Sequence, residues 1–518
     1  MPRPEDKAII DLGRRVRPSS YAFFLAVAAL IVFLTHASLC RVPFYWDELG
    51  QYVPASLDLY QLGRWIPITT VPNIHPPGLM AYLAVFWHIT GYSIMAARLA
   101  MLLLASCGAF FTFLLAIMLA RGTAGFPAFT ALMFLCLSPL FFAQAMLVQL
   151  DMPAMVLTIL ALLLFLKDYL RRCALVCVVL VLVKETGVAV PMVFGFWLLL
   201  ERRWKEALLF TAPLFPYGVW LVALHHATGN WAGNDAFAAY NGVYSLNPVR
   251  FGLALVRRLY YLFIGSGHFI GTIALVYALR RTRLFRSRAW RICALFVALH
   301  VLIVSLFGGA VLERYLLPVL PLLYISFAIA LSVLATRWRL AATFTLFSLL
   351  IAAIFINPVY PFPFENNLAY VSFVSLNQHA ADLVENSYPG GVIATTFPLA
   401  GALRRPDFGY VRHPLKVHEI DSFQASSIAP LADDPPDALV LYSVAWDPLG
   451  ILEKKEVEEF LHIHYGYEPQ VTGSELARRL RMHSVARWTE RGQWIEVFES
   501  DVLRPRSLRA AKNYTLRH

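Results

Sequence analysis

The residues able to do chemistry come in short, widely separated groups. Phe44-Tyr45-Trp46-Asp47-Glu48 holds two adjacent carboxylates, which can take a proton from a hydroxyl or bind a cation. The structural alternative is a helix N-terminus, where acidic side chains favour the macrodipole. Asp151, in Gln149-Leu150-Asp151-Met152-Pro153, has the same chemical capacity, but Asp before a Pro-containing helix start is also an ordinary N-cap. Lys184-Glu185 interrupts an apolar stretch. The two can pair with each other, or the cation can meet a lipid phosphate. Glu313-Arg314-Tyr315 offers a second phosphate contact through the guanidinium's fork of donors, or else an Arg and Tyr that anchor a helix at the interface. His75, in His75-Pro76-Pro77-Gly78, can bind metal or substrate, although a lone His more often does neither. Arg98 reads as a snorkelling anchor; Arg257 and Arg258, on an outer interfacial segment, can touch lipid head groups, although chance is the better reading. The chain has no Walker loop, no GxGxxG ahead of a helix and no HExxH.

The elements that must position these groups are membrane helices. Of 518 residues, 58% are hydrophobic and 15% charged, against about 25% charged in soluble proteins. The apolar residues fall in blocks that suit the roughly 20-residue span of a bilayer helix. Candidate spans are 21–40, 93–120, 124–146, 152–170, 173–183, 187–200, 207–225, 259–279, 291–309, 315–335 and 340–357. The net charge of +11 would suggest nucleic acid for a soluble protein. Here the basic residues sit in the gaps after even-numbered spans and in the N-terminus (Arg3, Lys7, Arg14, Arg15, Arg17), so they set topology instead. That N-terminus does not read as a cleavable signal. Counting Pro76–Thr90 as a span would push Arg280–Arg291 outside, so this stretch is expected to be an interfacial helix on the outer surface. Spans five and six are too short to cross, and Lys184-Glu185-Thr186-Gly187 should join them at the floor of a cavity open to the outer side. The expected division is a cytoplasmic N-terminus 1–20, a transmembrane domain 21–357 with first outer loop 41–92, and an extracytoplasmic domain 358–518. None of the six cysteines lies in the last part, so neither a disulfide framework nor a Cys-rich zinc site is expected.

Taken in order, these motifs resemble a known family. Trp46-Asp47-Glu48 is followed by Gly63-Arg64-Trp65, His75-Pro76-Pro77-Gly78, a helix ending at Gly91 and Ala97-Arg98-Leu99. Asp151-Met152-Pro153, Lys184-Glu185 and Arg314-Tyr315-Leu316-Leu317-Pro318 come next. The chain is similar to the GT-C superfamily of polytopic glycosyltransferases, in its bacterial protein mannosyltransferase-like and aminoarabinose transferase (ArnT)-like branch. The resemblance covers about residues 20–340. It implies a sugar donor on a polyprenyl phosphate and an acceptor hydroxyl that attacks with inversion at the outer face of a bacterial inner membrane. On that analogy Asp47 is the base, with Glu48 close behind, and Asp151 orients the acceptor or helps to hold a metal. Lys184 and Arg314, with Tyr315, His75 and Glu185, are then the residues about donor and phosphate. A divalent metal is possible and none is obligatory. The family's acceptors range from lipid A to proteins and polysaccharides, and no motif selects among them.

Residues 358–518 mix charge, Pro and Gly with short apolar runs. Gly391–Thr395, Ala438–Tyr442 and Trp494–Phe498 read as strands and Glu453–His464 as an amphipathic helix. The expectation is a small α/β domain capping the membrane cavity. Two other functions fit buried intramembrane charge. A secondary transporter would show two matching halves and a midplane site, whereas no internal repeat is visible and the acids lie at one face. A non-catalytic lipid-binding or assembly protein would keep its working part in the soluble domain.

Overall fold

The computed structural model describes residues 18–121, 123, 125–243, 246–307 and 309–501. The basic N-terminal residues Arg3 to Arg17 lie outside the described residues. The chain divides into two compact units. One holds residues 1–40 and 55–356; the other holds 41–54 with 357–518.

The first unit is helical. Among the described residues, seven helices are long and apolar enough to cross a membrane: Tyr21–Leu39, Ile94–Leu119, Trp204–Thr228, Pro248–Arg281, Arg288–Leu306, Glu313–Ser332 and Thr336–Phe355. Four apolar helices are shorter, Gly78–Thr90, Pro127–Cys136, Asp151–Leu166 and Glu185–Leu200. The chain is thus a multi-pass helical membrane protein. Span three departs from the sequence expectation, because it is not one helix. It stops at Cys136 and restarts at Pro139. Proline has no N–H and pushes the residue before it out of helical geometry. Ser138 is accordingly extended (φ −70°, ψ 136°), and its hydroxyl caps the new helix at Phe141 N–H, 3.3 Å away.

The segment Pro76–Thr90 forms a helix over Gly78–Thr90 that buries Leu79, Met80, Leu83, Ala84 and Trp87. It lies against the end of the helix Leu170–Val183. A Cβ on Gly78 would stand 2.5 Å from the Leu182 carbonyl oxygen, so only glycine permits this approach. Arg98 does not snorkel. It is fully buried and donates from Nη1 to the Met146 carbonyl at 2.9 Å, tying the helix Ile94–Leu119 to the chain ahead of Asp151.

The second unit is a small α/β domain. Its sheet has the order β2-β1-β3-β5-β4, with β1 Val392–Thr396, β2 Lys416–Ile420, β3 Ala438–Tyr442, β4 Met482–Glu490 and β5 Gln493–Ser500. β1 pairs in parallel with β2 and β3, while β5 runs antiparallel to β3 and β4. β3 is buried at every residue, as a central strand of apolar composition should be. The amphipathic helix forms over Lys455–Tyr465. The helix Ala369–Ser387 covers the sheet with Phe373, Val374, Leu376, Ala380, Ala381 and Val384 buried. What no linear reading indicated is that residues 41–54, part of the stretch expected to be the first outer loop, group with this domain.

Candidate active site

The first unit gathers a buried group of charges from four distant segments. Asp151 opens the helix Asp151–Leu166, yet the N-cap is Leu150 and makes no side-chain cap. The carboxylate is therefore not spent on its own helix. Its Oδ1 accepts from Lys184 Nζ and its Oδ2 lies 3.3 Å from Arg314 Nε. All three side chains are buried. Local structure explains the convergence. Lys184 sits in extended backbone (φ −149°, ψ 126°) between the helix ending at Val183 and the tight turn Glu185–Val188. Arg314 sits in the 3-10 turn Glu313–Val319, which ends in a helix that Pro318 cannot extend backwards.

Tyr315 forms the floor of this group. Lys184 Nζ stands 4.3 Å from its ring centre, with the guanidinium carbons of Arg314 and Arg258 at 5.6 and 5.7 Å. Such placements are attractive for a cation over an aromatic face. His300 Nε2 bonds the Tyr315 carbonyl at 2.8 Å and fixes that residue's backbone. Arg258, which the sequence suggests is there by chance, belongs here. It is 1% exposed, donates from Nη2 to the Val304 carbonyl at 2.6 Å, and feels the charges of Asp151 and Glu313. Its Nε and Nη1 are buried with no hydrogen-bond partner among the described residues. Its neighbour Arg257 pairs with the buried Glu313 at 2.7 Å. A sequence signal did exist. The helix Pro248–Phe263 is strongly amphipathic, and Arg258 falls in helical phase with its buried residues Ala254, Tyr261 and Leu262.

Lys184 and Glu185 do not pair with each other. Glu185 Oε2 instead meets His75 Nδ1 at 2.8 Å, and His75 packs edge-on against Phe237 with ring centres 5.4 Å apart. The close approach that Gly78 permits carries His75 to this junction, helped by Trp220 Nε1, which donates to the Ile74 carbonyl at 3.1 Å.

The second unit carries the acidic pair. Glu48 is fully buried, and its Oε2 accepts from the Tyr45 N–H at 2.7 Å while its own N–H donates to the Tyr45 carbonyl at 2.9 Å. Glu48 thus closes its own turn. Asp47, one residue earlier, is half-buried, and its side chain makes no capping bond to the wide helical turn Glu48–Tyr52. Trp46 holds φ at +46°, a left-handed conformation that bulky residues rarely adopt. Among the described residues no three His, Cys, Asp or Glu side chains gather as a metal site.

No protein-family model matches the chain, and no curated protein matches it. Solved structures do. ArnT from Cupriavidus metallidurans bound to undecaprenyl phosphate is 15% identical, with TM-score 0.50, covering 93% of this chain and 98% of that one. The apo ArnT structure gives 16% identity and TM-score 0.50 over 92% and 98%. The Archaeoglobus fulgidus oligosaccharyltransferase complex with Zn and sulfate is less similar, at 12% identity and TM-score 0.46 over 80% and 67%. At these identities the likeness is one of architecture, and along nearly the whole of both chains this protein shares its fold with ArnT.

Proposed function

We propose that the protein is a membrane glycosyltransferase that moves a sugar from a polyprenyl-phosphate donor to an acceptor hydroxyl on the outer face of a bacterial inner membrane, with inversion. The observation that carries this reading is the buried charge group. Three cations, Lys184, Arg314 and Arg258, surround Tyr315, and one carboxylate, Asp151, is hydrogen-bonded to Lys184 and forms an ion pair with Arg314. Buried charge is costly unless compensated, and this excess of positive charge suits an anion. Arg258 still has donors to offer. A lipid phosphate meets those needs, and undecaprenyl phosphate is the molecule bound in the ArnT structure of like fold.

In this mechanism the acceptor hydroxyl oxygen attacks the anomeric carbon. The bond from that carbon to the phosphate oxygen breaks, and its electron pair stays on the phosphate. Lys184, Arg258 and Arg314 stabilise the charge that develops there, which is the electrostatic term that usually dominates such catalysis. The hydroxyl proton passes to Asp47. Asp151 does not take part as a base, because both its oxygens face cations; it holds Lys184 and Arg314 in place. His75 and Glu185 brace the junction that carries Lys184. No step is routed through a metal. The sugar and the acceptor stay open. An eleven-span scheme, in which spans five and six meet at the cavity floor and residues 358–518 lie in the periplasm, is part of the same proposal, supported by the one-sided clustering of Arg and Lys.

Isolated membranes supplied with radiolabelled polyprenyl-phosphate sugars test the chemistry, with label expected on an endogenous acceptor. Uptake of a solute without transfer of label would favour a transporter, and neither activity would favour a lipid-binding role. A reporter active only in the cytoplasm, fused after His518, should be silent; a strong signal would end the topology.

A further inference from the structure

We infer that the C-terminal α/β unit is the holder of the acidic turn, with Phe397 and Tyr410 as positioning residues for Asp47. This rests on the reading of Asp47 as the base. The sheet order β2-β1-β3 means that the chain leaves β1 toward one side for β2 and then returns to the other side for β3. In open parallel sheets such a switch point leaves a crevice at the carboxyl ends of the strands, where ligands bind. Here residues 44–50 of the same chain lie at that place.

The contacts are specific. Phe397 directly follows β1, and its ring centre is 5.8 Å from that of Trp46 at an interplanar angle of 85°. A Cβ on Gly50 would lie 2.1 Å from Phe397 Cε2, so the turn touches this ring at closest possible range. Tyr442 ends β3 and donates from its hydroxyl to the Phe397 carbonyl at 2.5 Å. Burial raises the Tyr442 phenol well above its ordinary pKa, so that proton stays in place. Phe373, on the covering helix, meets Trp46, Tyr45 and Tyr442 with ring centres 5.9, 5.7 and 5.5 Å away. From the connection between β1 and β2, Tyr410 donates its hydroxyl to the Phe44 carbonyl at 2.7 Å, and Phe408 packs edge-on against Phe44. The left-handed Trp46 sits at the centre of these contacts. Strained backbone persists only where the surroundings over-determine it. The domain therefore fixes the conformation that presents Asp47, and its own crevice is filled rather than open to an acceptor.

The test uses full-length protein in lipid nanodiscs, with hydrogen–deuterium exchange of the amides of residues 44–52 read beside transfer activity. Tyr410→Phe removes one hydroxyl, Phe397→Leu keeps apolar bulk without the ring, and Gly50→Ala drives the turn off Phe397. Exchange should quicken about fivefold in the first two, the weight of one net hydrogen bond or aromatic pair. Turnover should fall by a similar factor with the KM for donor and acceptor unchanged. Gly50→Ala should lose on the order of a hundredfold in turnover, the usual cost of a misplaced catalytic group. Unchanged exchange in all three variants overturns the holder. Faster exchange with normal turnover overturns the positioning role, and so does a raised acceptor KM at constant turnover, which would make the crevice an acceptor site. If the wild type transfers no sugar at all, the proposed reaction fails, while the exchange data still decide whether the domain holds the turn.

Discussion

The two compact units each carry one half of the proposed chemistry, and they hold it by different means. In the helical unit Lys184, Arg314 and Arg258 are brought from distant segments to one buried place, held by the Asp151 carboxylate and a shared aromatic ring. In the α/β unit Asp47 belongs to a single local turn, kept by Glu48 and a cluster of aromatic rings, and left half-exposed. The difference follows from what each group must do. A phosphate is stabilised best where water is excluded, since charge interactions weaken steeply in high dielectric. A base must receive a proton and give it up again, which needs a path to solvent. Changes to the first region should therefore act on donor binding and stability as well as turnover, and changes to the second on turnover alone.

The largest effect is expected at Asp47. Asp47→Asn keeps size and hydrogen bonding but cannot accept the proton, and a positioned base contributes about 10²–10⁴-fold. Turnover should fall by that range with expression and donor binding intact. Glu48→Gln should lose far less, because the amide oxygen can still accept from the Tyr45 N–H. The reverse order of losses would exchange the two roles. Normal activity in both variants would sink the mechanism.

Next comes Asp151→Ala, which leaves Lys184 and Arg314 buried without their carboxylate. Removing one partner of a buried pair costs about 3–5 kcal/mol. Thermal melting of the purified protein should drop sharply, and Lys184→Met in the same chain should restore part of the loss. A stable single variant would mean that water already reaches the group. Arg258→Gln is smaller and of another kind. It should leave folding nearly intact and weaken binding of the polyprenyl phosphate about tenfold or more, since hydrogen bonds to charged groups contribute roughly 1.5–3 kcal/mol. Unaltered affinity for undecaprenyl phosphate would remove Arg258 from the phosphate site.

The same contrast explains what the sequence disclosed. Acidic and basic residues in apolar surroundings are conspicuous because burial there demands a reason, so Asp151, Lys184 and Arg314 could be picked out one by one. That Lys184 and Arg314 share the Asp151 carboxylate could not, since neither spacing nor charge encodes which cations converge. Arg258 was passed over because it sits on an amphipathic helix, where an Arg is ordinary. Arg98 looked like a snorkelling anchor because it opens an apolar helix, and its carbonyl partner, Met146, is 48 residues away. The strands Val392–Thr396 and Ala438–Tyr442 were legible from dense β-branched and apolar runs. The attachment of residues 41–54 to that sheet was not, because aromatic rings such as Trp46 and Phe397 carry no mark of their partner at 350 residues' distance.

The smallest effect is expected from ion pairs of similar chemistry left in water, and it serves as the control for the comparison. Arg288 binds Glu201 through Nε at 2.6 Å and Nη2 at 2.8 Å, linking the start of the helix Arg288–Leu306 to the end of the helix Ala189–Leu200. The Arg288 hydrogen bonds, set against partial burial, hold the Glu201 carboxyl below its usual pKa. A depressed carboxylate pKa adds stability above the unfolded-state value and loses it as pH falls through the folded-state value. The pair therefore contributes at neutral pH and fades in acid. Both side chains are about one-third exposed, at 33% and 30%. Solvent screening limits such pairs to about 1 kcal/mol or less. Glu201→Gln should thus lower the melting temperature only slightly at neutral pH and not at all once the wild-type carboxyl is protonated. High salt should erase the difference, because exposed charges are screened within about 10 Å at 0.1 M. If Glu201→Gln instead destabilises the protein as much as Asp151→Ala, burial is not what distinguishes the Asp151 group, and the contrast between the two kinds of charge fails.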